Sequence, residues 1–124
     1  MDLEIGMVQA AFADLVWERE PIQSGELVRL CGEKFGWKKS TTYTVLHNLS
    51  KKGIFRNQEG IVTSLISKDQ FYARKAEILL EKGYRGSLPL FVAALFDERK
   101  LDEKEINELQ MMIDRYRISL EKDA

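Results

Sequence analysis

Cysteine and histidine are nearly absent from this 124-residue chain: Cys31 and His47 are the single examples of each. One cysteine excludes an internal disulfide and any multi-cysteine metal cage, and fits a reducing compartment. One histidine excludes a histidine-rich metal site, and no serine or other hydroxyl can be grouped with it and a carboxylate into a nucleophilic triad. Proline occurs twice, at Pro21 and Pro89, so long helices are permitted over most of the chain. No apolar run approaches the ~20 residues that a bilayer span requires, and the N-terminal MDLEIGMVQA has no basic, apolar secretory signal. These absences lead us to expect a cytoplasmic protein without membrane insertion, cofactor or metal, and not an enzyme.

Neither sign of charge is in excess, with 19 Lys and Arg against 20 Asp and Glu and a formal net charge of -1. The balance is not uniform. From Lys34 to Arg56 every charged side chain is a cation, namely Lys34, Lys38, Lys39, Lys51, Lys52 and Arg56. Affinity for nucleic acid comes largely from neutralised phosphates and released counterions, so one such segment suffices on an otherwise acidic surface.

Hydrophobic residues make up 44% of the chain, enough for one domain or a small domain with an appendage. Ile5, Val8, Phe12, Leu15 and Val16 recur at threes and fours and predict a first helix to about Trp17. After Pro21, Ser24 is placed to cap a second helix with Leu27, Val28, Leu30 and Cys31 inward, ended by Phe35 and Gly36. Cys31 is then a buried structural thiol rather than a redox sensor. Ser40 is placed to cap a third helix that turns Val45, Leu46 and Leu49 inward, leaves Tyr43 on its open side and stops at Gly53. The runs IFRN and IVTSLI, separated by Gln58, Glu59 and Gly60, predict a hairpin. Trp17 and Trp37, each at a helix end, are expected to close a small core.

Beyond Ile66 the pattern changes. Ser67 and Gln70 have capping-box spacing and open a helix reaching about Gly83; the stretch from Gly83 to Gly86 is expected to be a hinge. Ser87 and Pro89 open a short helix, LFVAALF, that is apolar on nearly every side. Asp102 and Glu105 repeat the capping-box spacing ahead of a last helix striped with Ile106, Leu109, Ile113, Tyr116 and Leu120. So few residues could hardly hide an apolar helix and an apolar stripe alone, so a homodimer is expected to bury Phe91, Leu95, Ile106, Leu109, Ile113 and Tyr116. The expected class is mostly α with a small β-hairpin (α+β): a winged helix-turn-helix over residues 1–66 that binds DNA, then a three-helix dimerisation region over residues 67–124.

In that arrangement the third helix enters the major groove of a double-stranded DNA operator. Ser40, Thr41, Tyr43, Thr44, His47 and Asn48 are the candidates to meet base edges and phosphates. Lys38 and Lys39 before the helix, Lys51 and Lys52 after it, and Arg56 on the wing are the candidates for phosphate alone. The bland alternative is a solvated basic face with capping hydroxyls. The acidic residues of the last helix read as solvated surface rather than an acid/base dyad.

The residues W-x-x-x-T-x-x-T-x-x-x-x-L-x-x-K-G at Trp37, Thr41, Thr44, Leu49, Lys52 and Gly53, with Trp17 closing the first helix and KLDEKEINEL after a short apolar helix, give the chain a resemblance over nearly its whole length. It resembles the BlaI/MecI/CopY family of penicillinase, methicillin-resistance and copper-responsive repressors. That resemblance implies a homodimeric winged-helix repressor on a palindromic operator controlling resistance or stress-response genes, with an inducing factor, of which a membrane sensor-protease is one kind. Relatives often carry Arg where Asn48 stands. The Asn-Phe bond cut in penicillinase-type members is replaced by Ala93, Ala94, Leu95 and Phe96, and the cysteine cluster of copper-responsive members is missing. Rival readings are a winged helix serving only protein interaction and, less favoured, a small hydrolase; salt-dependent duplex binding separates the repressor from the first.

Overall fold

A computed structural model describes residues 2–123. They form six helices and three short strands in the order α1 (Met7–Arg19), β1 (Ile22–Gln23), α2 (Ser24–Phe35), α3 (Lys39–Lys51), β2 (Phe55–Gln58), β3 (Ile61–Ser64), α4 (Lys68–Tyr84), α5 (Leu88–Glu98) and α6 (Glu103–Asp123). The first six of these elements make a winged helix-turn-helix, as the sequence pattern predicts.

α1 opens where Gly6 donates its N–H to the Gln9 carboxamide at 3.1 Å and buries Phe12, Ala13, Leu15 and Val16. Val8, expected inside, is 60% exposed, while Leu3 on the arm ahead of the helix is 8% exposed and joins the core. α2 stops at Gly36, whose left-handed backbone (φ 69°) turns its N–H back to the Gly32 carbonyl. Neither expected serine cap forms. Ser24 lies inside the first turn of α2, with its N–H on the Gly60 carbonyl at 2.8 Å, and α3 starts at Lys39, one residue ahead of Ser40. In α3 the extended Lys38 occupies the cap position without a side-chain bond, and its carbonyl accepts from the Thr42 N–H.

Gly53 (φ 86°) carries the chain from α3 into the hairpin. Gln58 pairs with Ile61, so the connection is the two residues Glu59 and Gly60, with φ of 54° and 83° as a type I′ turn demands. β1, a strand absent from the sequence expectation, pairs antiparallel with β3 and makes β3 the centre of a sheet ordered β1-β3-β2.

The core gathers residues from α1, α2, α3, the hairpin and the first turn of α4: Phe12, Leu27, Leu49, Ile54, Phe55, Val62 and Phe71 are fully buried. Each such side chain contributes about 1.5–3 kcal/mol relative to exposure. Aromatic rings knit it. Trp37 stacks on Phe12 at 6.0 Å, and Trp17 meets Phe55 and Phe71 at 5.6 and 5.5 Å while donating its indole N–H to the Ile66 carbonyl at 3.0 Å. Glu20, just past α1, ties that helix to β3 by accepting from the Ser64 N–H at 2.9 Å and from its hydroxyl. Cys31 is wholly buried, and desolvation pushes its thiol pKa up, away from thiolate chemistry.

Packing divides the chain into a unit ending at Ile78 and a unit from Leu79 on. This division falls inside α4 rather than at Ile66, since Phe71 in the first turns of α4 belongs to the N-terminal core. The Ser67–Gln70 capping box is reciprocal, with the Gln70 N–H on Ser67 Oγ at 3.1 Å and the Ser67 N–H on the Gln70 carboxamide at 3.3 Å.

In the second unit, the stretch expected to be a hinge is a tight helix stop. Arg85 and Gly86 take φ of 54° and 74°, and the Gly86 N–H bonds the Leu80 carbonyl at 2.9 Å. Ser87 Oγ then caps α5 through the Leu90 N–H at 3.2 Å, and Asp102 Oδ1 caps α6 through the Glu105 N–H at 2.8 Å. Neither helix contains a buried residue. Among the described residues no helix is long and apolar enough to cross a membrane.

Candidate nucleic-acid interface

Three turns of α3 sort their side chains by angle. Thr42, Leu46 and Leu49 are buried, while Ser40, Thr44, His47 and Lys51, spaced four, three and four apart, are exposed together with Thr41 and Asn48. The sequence-predicted reading residues therefore share one outward face, with Tyr43 the exception. Its ring is half-buried against the core and its hydroxyl donates to Ser24 Oγ at 3.0 Å. The tether explains the departure from the expected open position.

Three hydroxyls of the helix bond back to carbonyls four residues earlier: Thr42 Oγ1 donates to the Lys38 carbonyl at 3.3 Å, Thr44 Oγ1 to the Ser40 carbonyl at 2.9 Å and Ser50 Oγ to the Leu46 carbonyl at 2.8 Å. Sequence reasoning does not single out Thr42, and its burial has no local signal beyond its spacing from Leu46 and Leu49. The Thr44 hydroxyl keeps its acceptor lone pairs for an outside donor.

Cations bracket this face. Lys38 and Lys39 stand before it, Lys51 after it and Arg56 on β2, all exposed, and among the described residues none of the four is in an ion pair. Lys39 Nζ lies 6.0 Å over the Tyr43 ring. Lys52 differs. Its ammonium is 3.2 Å from Asp2 Oδ2 and donates to the Glu4 carbonyl, and its side chain is only 23% exposed. Along the sequence Lys52 has no acidic neighbour; the fold supplies one from the arm ahead of α1. The hairpin tip carries Gln58 and Glu59, so Arg56 is the wing's cation.

Between α3 and the wing, Tyr43, Leu46, His47, Ser50 and Asn57 wall an open cleft of about 430 Å³. His47 meets no carboxylate there. Among the described residues no group of His, Cys, Asp or Glu could hold a metal ion.

In the second unit, Phe91, Leu95, Leu109 and Ile113 of the expected dimer set line one apolar cleft of about 400 Å³ between α5 and α6, rimmed by the Arg99–Glu105 ion pair. Ile106 and Tyr116 are outside that lining, 46% and 68% exposed along the same stripe of α6.

A family model described as penicillinase repressor matches residues 5–115, which spans the winged helix, α4, α5 and most of α6. A penicillinase repressor of Bacillus licheniformis is 25% identical to this chain over 107 residues, covering 83% of this chain and 84% of that protein.

Proposed function

The chain belongs to the penicillinase repressor family, and from that premise we propose that it is a homodimeric transcriptional repressor that binds a palindromic operator through α3. One observation carries the reading: the outward face of α3 holds Ser40, Thr41, Thr44, His47 and Asn48 between unpaired cations, while its inward face is buried. Hydroxyl, imidazole and carboxamide groups are donors and acceptors suited to base edges in the major groove. Lys38, Lys39, Lys51 and Arg56 supply the phosphate contacts that set register.

A palindrome requires two such faces roughly 34–36 Å apart, one helical turn of DNA or a multiple of it. The apolar residues of α5 and α6, exposed in the single chain, are the surface we assign to the second copy, with Phe91, Leu95, Leu109 and Ile113 central and Ile106 and Tyr116 flanking. The functional division we propose remains DNA binding before Ile66 and dimerisation after it, with a cytoplasmic setting and no catalytic role. An inducing factor belongs to the reading. Ala93 to Phe96 offers no Asn-Phe bond, so a sensor-protease partner would have to act on a different bond.

Duplex binding measured against salt tests the proposal. If Lys38, Lys39, Lys51 and Arg56 each neutralise one phosphate in both protomers, log K falls with log salt at a slope of about -7. Salt-independent association, or none, would leave a winged helix devoted to protein interaction.

A further inference from the structure

Ahead of α1 the chain is fastened to the far end of α3. Asp2 donates its N–H to the Lys52 carbonyl at 3.1 Å, and the Lys52 ammonium returns to Asp2 Oδ2 at 3.2 Å and to the Glu4 carbonyl. The Glu4 N–H donates to Asp2 Oδ1 at 2.9 Å, folding the arm on itself, and Leu3 between them is 8% exposed within the core. The Glu4 N–H and the Lys52 ammonium together hold the Asp2 carboxyl below the usual carboxylate range.

Carbonyls at a helix C-terminus lack intrahelical partners, and the arm's N–H satisfies one of them at the point where α3 gives way to the wing. Lys52 follows Asn48 by four residues and so borders the reading face, but its ammonium is turned back onto Asp2 and the Glu4 carbonyl. A phosphate approaching Lys52 would also meet the exposed carboxylates of Asp2 and Glu4.

We infer that Lys52 is a positioning residue for DNA reading, not a phosphate contact: by clasping Asp2 and Glu4 it holds the C-terminal end of α3 in register with α1. The inference rests on the repressor reading above. It gives the two adjacent lysines different tasks, Lys51 neutralising DNA and Lys52 setting how the outward face is presented.

The test uses the full chain, a duplex that the wild-type protein selects from a randomised pool, and a random duplex of equal length, each titrated over a range of KCl. Lys51→Ala is expected to flatten the salt slope by about one for each phosphate left without its lysine. Lys52→Met is expected to keep the wild-type slope and to reduce the selected-to-random affinity ratio roughly threefold to fivefold, the scale of one surface ion pair. Asp2→Asn should reduce the ratio similarly, the double variant should lose no more than either alone, and Lys52→Arg should restore the ratio. A slope flattened by Lys52→Met would make Lys52 a phosphate contact and overturn the inference. So would an unchanged ratio with only a lower Tm, which would make the clasp merely structural. Failure of the wild-type protein to bind any duplex would remove the repressor reading itself, a distinct result.

Discussion

Placing Asp at both Leu109 and Ile113 is expected to separate the two chains and to abolish palindrome binding while the winged helix stays folded. The two side chains are 38% and 55% exposed in the single chain and line the same apolar cleft as Phe91 and Leu95. Completing their burial against a second copy is worth about 1 kcal/mol each, roughly half of what full burial of such a side chain provides. A two-fold interface presents every substitution twice, so the lost apolar burial alone comes to about 4 kcal/mol. At 1.4 kcal/mol per factor of ten, the dimer dissociation constant rises on the order of 10³-fold. Carboxylates buried without partners add several kcal/mol apiece, so this is a lower bound. Sedimentation velocity gives the assembly state, and titration of the wild-type-selected duplex gives the affinity. Trp17 and Trp37 are the only tryptophans and both pack in the N-terminal core, so their fluorescence reports the winged helix separately. A variant that remains dimeric with undiminished affinity would refute the assignment of α5 and α6 to dimerisation.

Three other outcomes are expected. Lys51→Ala should weaken binding to selected and random duplexes equally, because a phosphate contact carries no sequence information; a loss confined to the selected duplex would place Lys51 among the base readers. Thr41→Ala and Thr44→Ala should do the reverse, each losing about 1–3 kcal/mol on the selected duplex if its hydroxyl meets a base edge, as competition titrations would reveal. Tyr43→Phe removes the hydroxyl bond to Ser24 and should lower stability to urea by about 0.5–1.5 kcal/mol while leaving the salt slope of DNA binding intact.

The helices are legible in the sequence because their signals are local. Apolar spacing marks α1 to α3, hydroxyl and carboxylate caps at Ser67, Ser87 and Asp102 mark where α4, α5 and α6 begin, and Gly36 and Gly53 stand at positive φ where the pattern predicts a stop. What escapes depends on partners distant in sequence. β1 is two residues long, too short for any periodicity, and is a strand only because β3 offers it an edge. Ser24 and Ser40 have the right chemistry for caps, yet each lies inside its helix, behind Gln23 and Lys38 at the cap positions. The outward set of α3 follows from helical spacing alone. The pairing of Lys52 with Asp2 does not, since the whole of α1, α2 and α3 lies between the two residues in the chain.

The division of labour along α3 bears on how such a protein diversifies. Thr42, Tyr43, Leu46 and Leu49 hold the helix in place, and Ser40, Thr41, His47 and Asn48 contribute nothing to that grip. Exchanging an outward residue therefore leaves the scaffold untouched, since surface substitutions away from packing and caps usually change stability by less than about 0.5 kcal/mol. A duplicated gene can drift through a large vocabulary of reading faces without crossing an unfolded intermediate, and a designer can treat the same positions as a cassette.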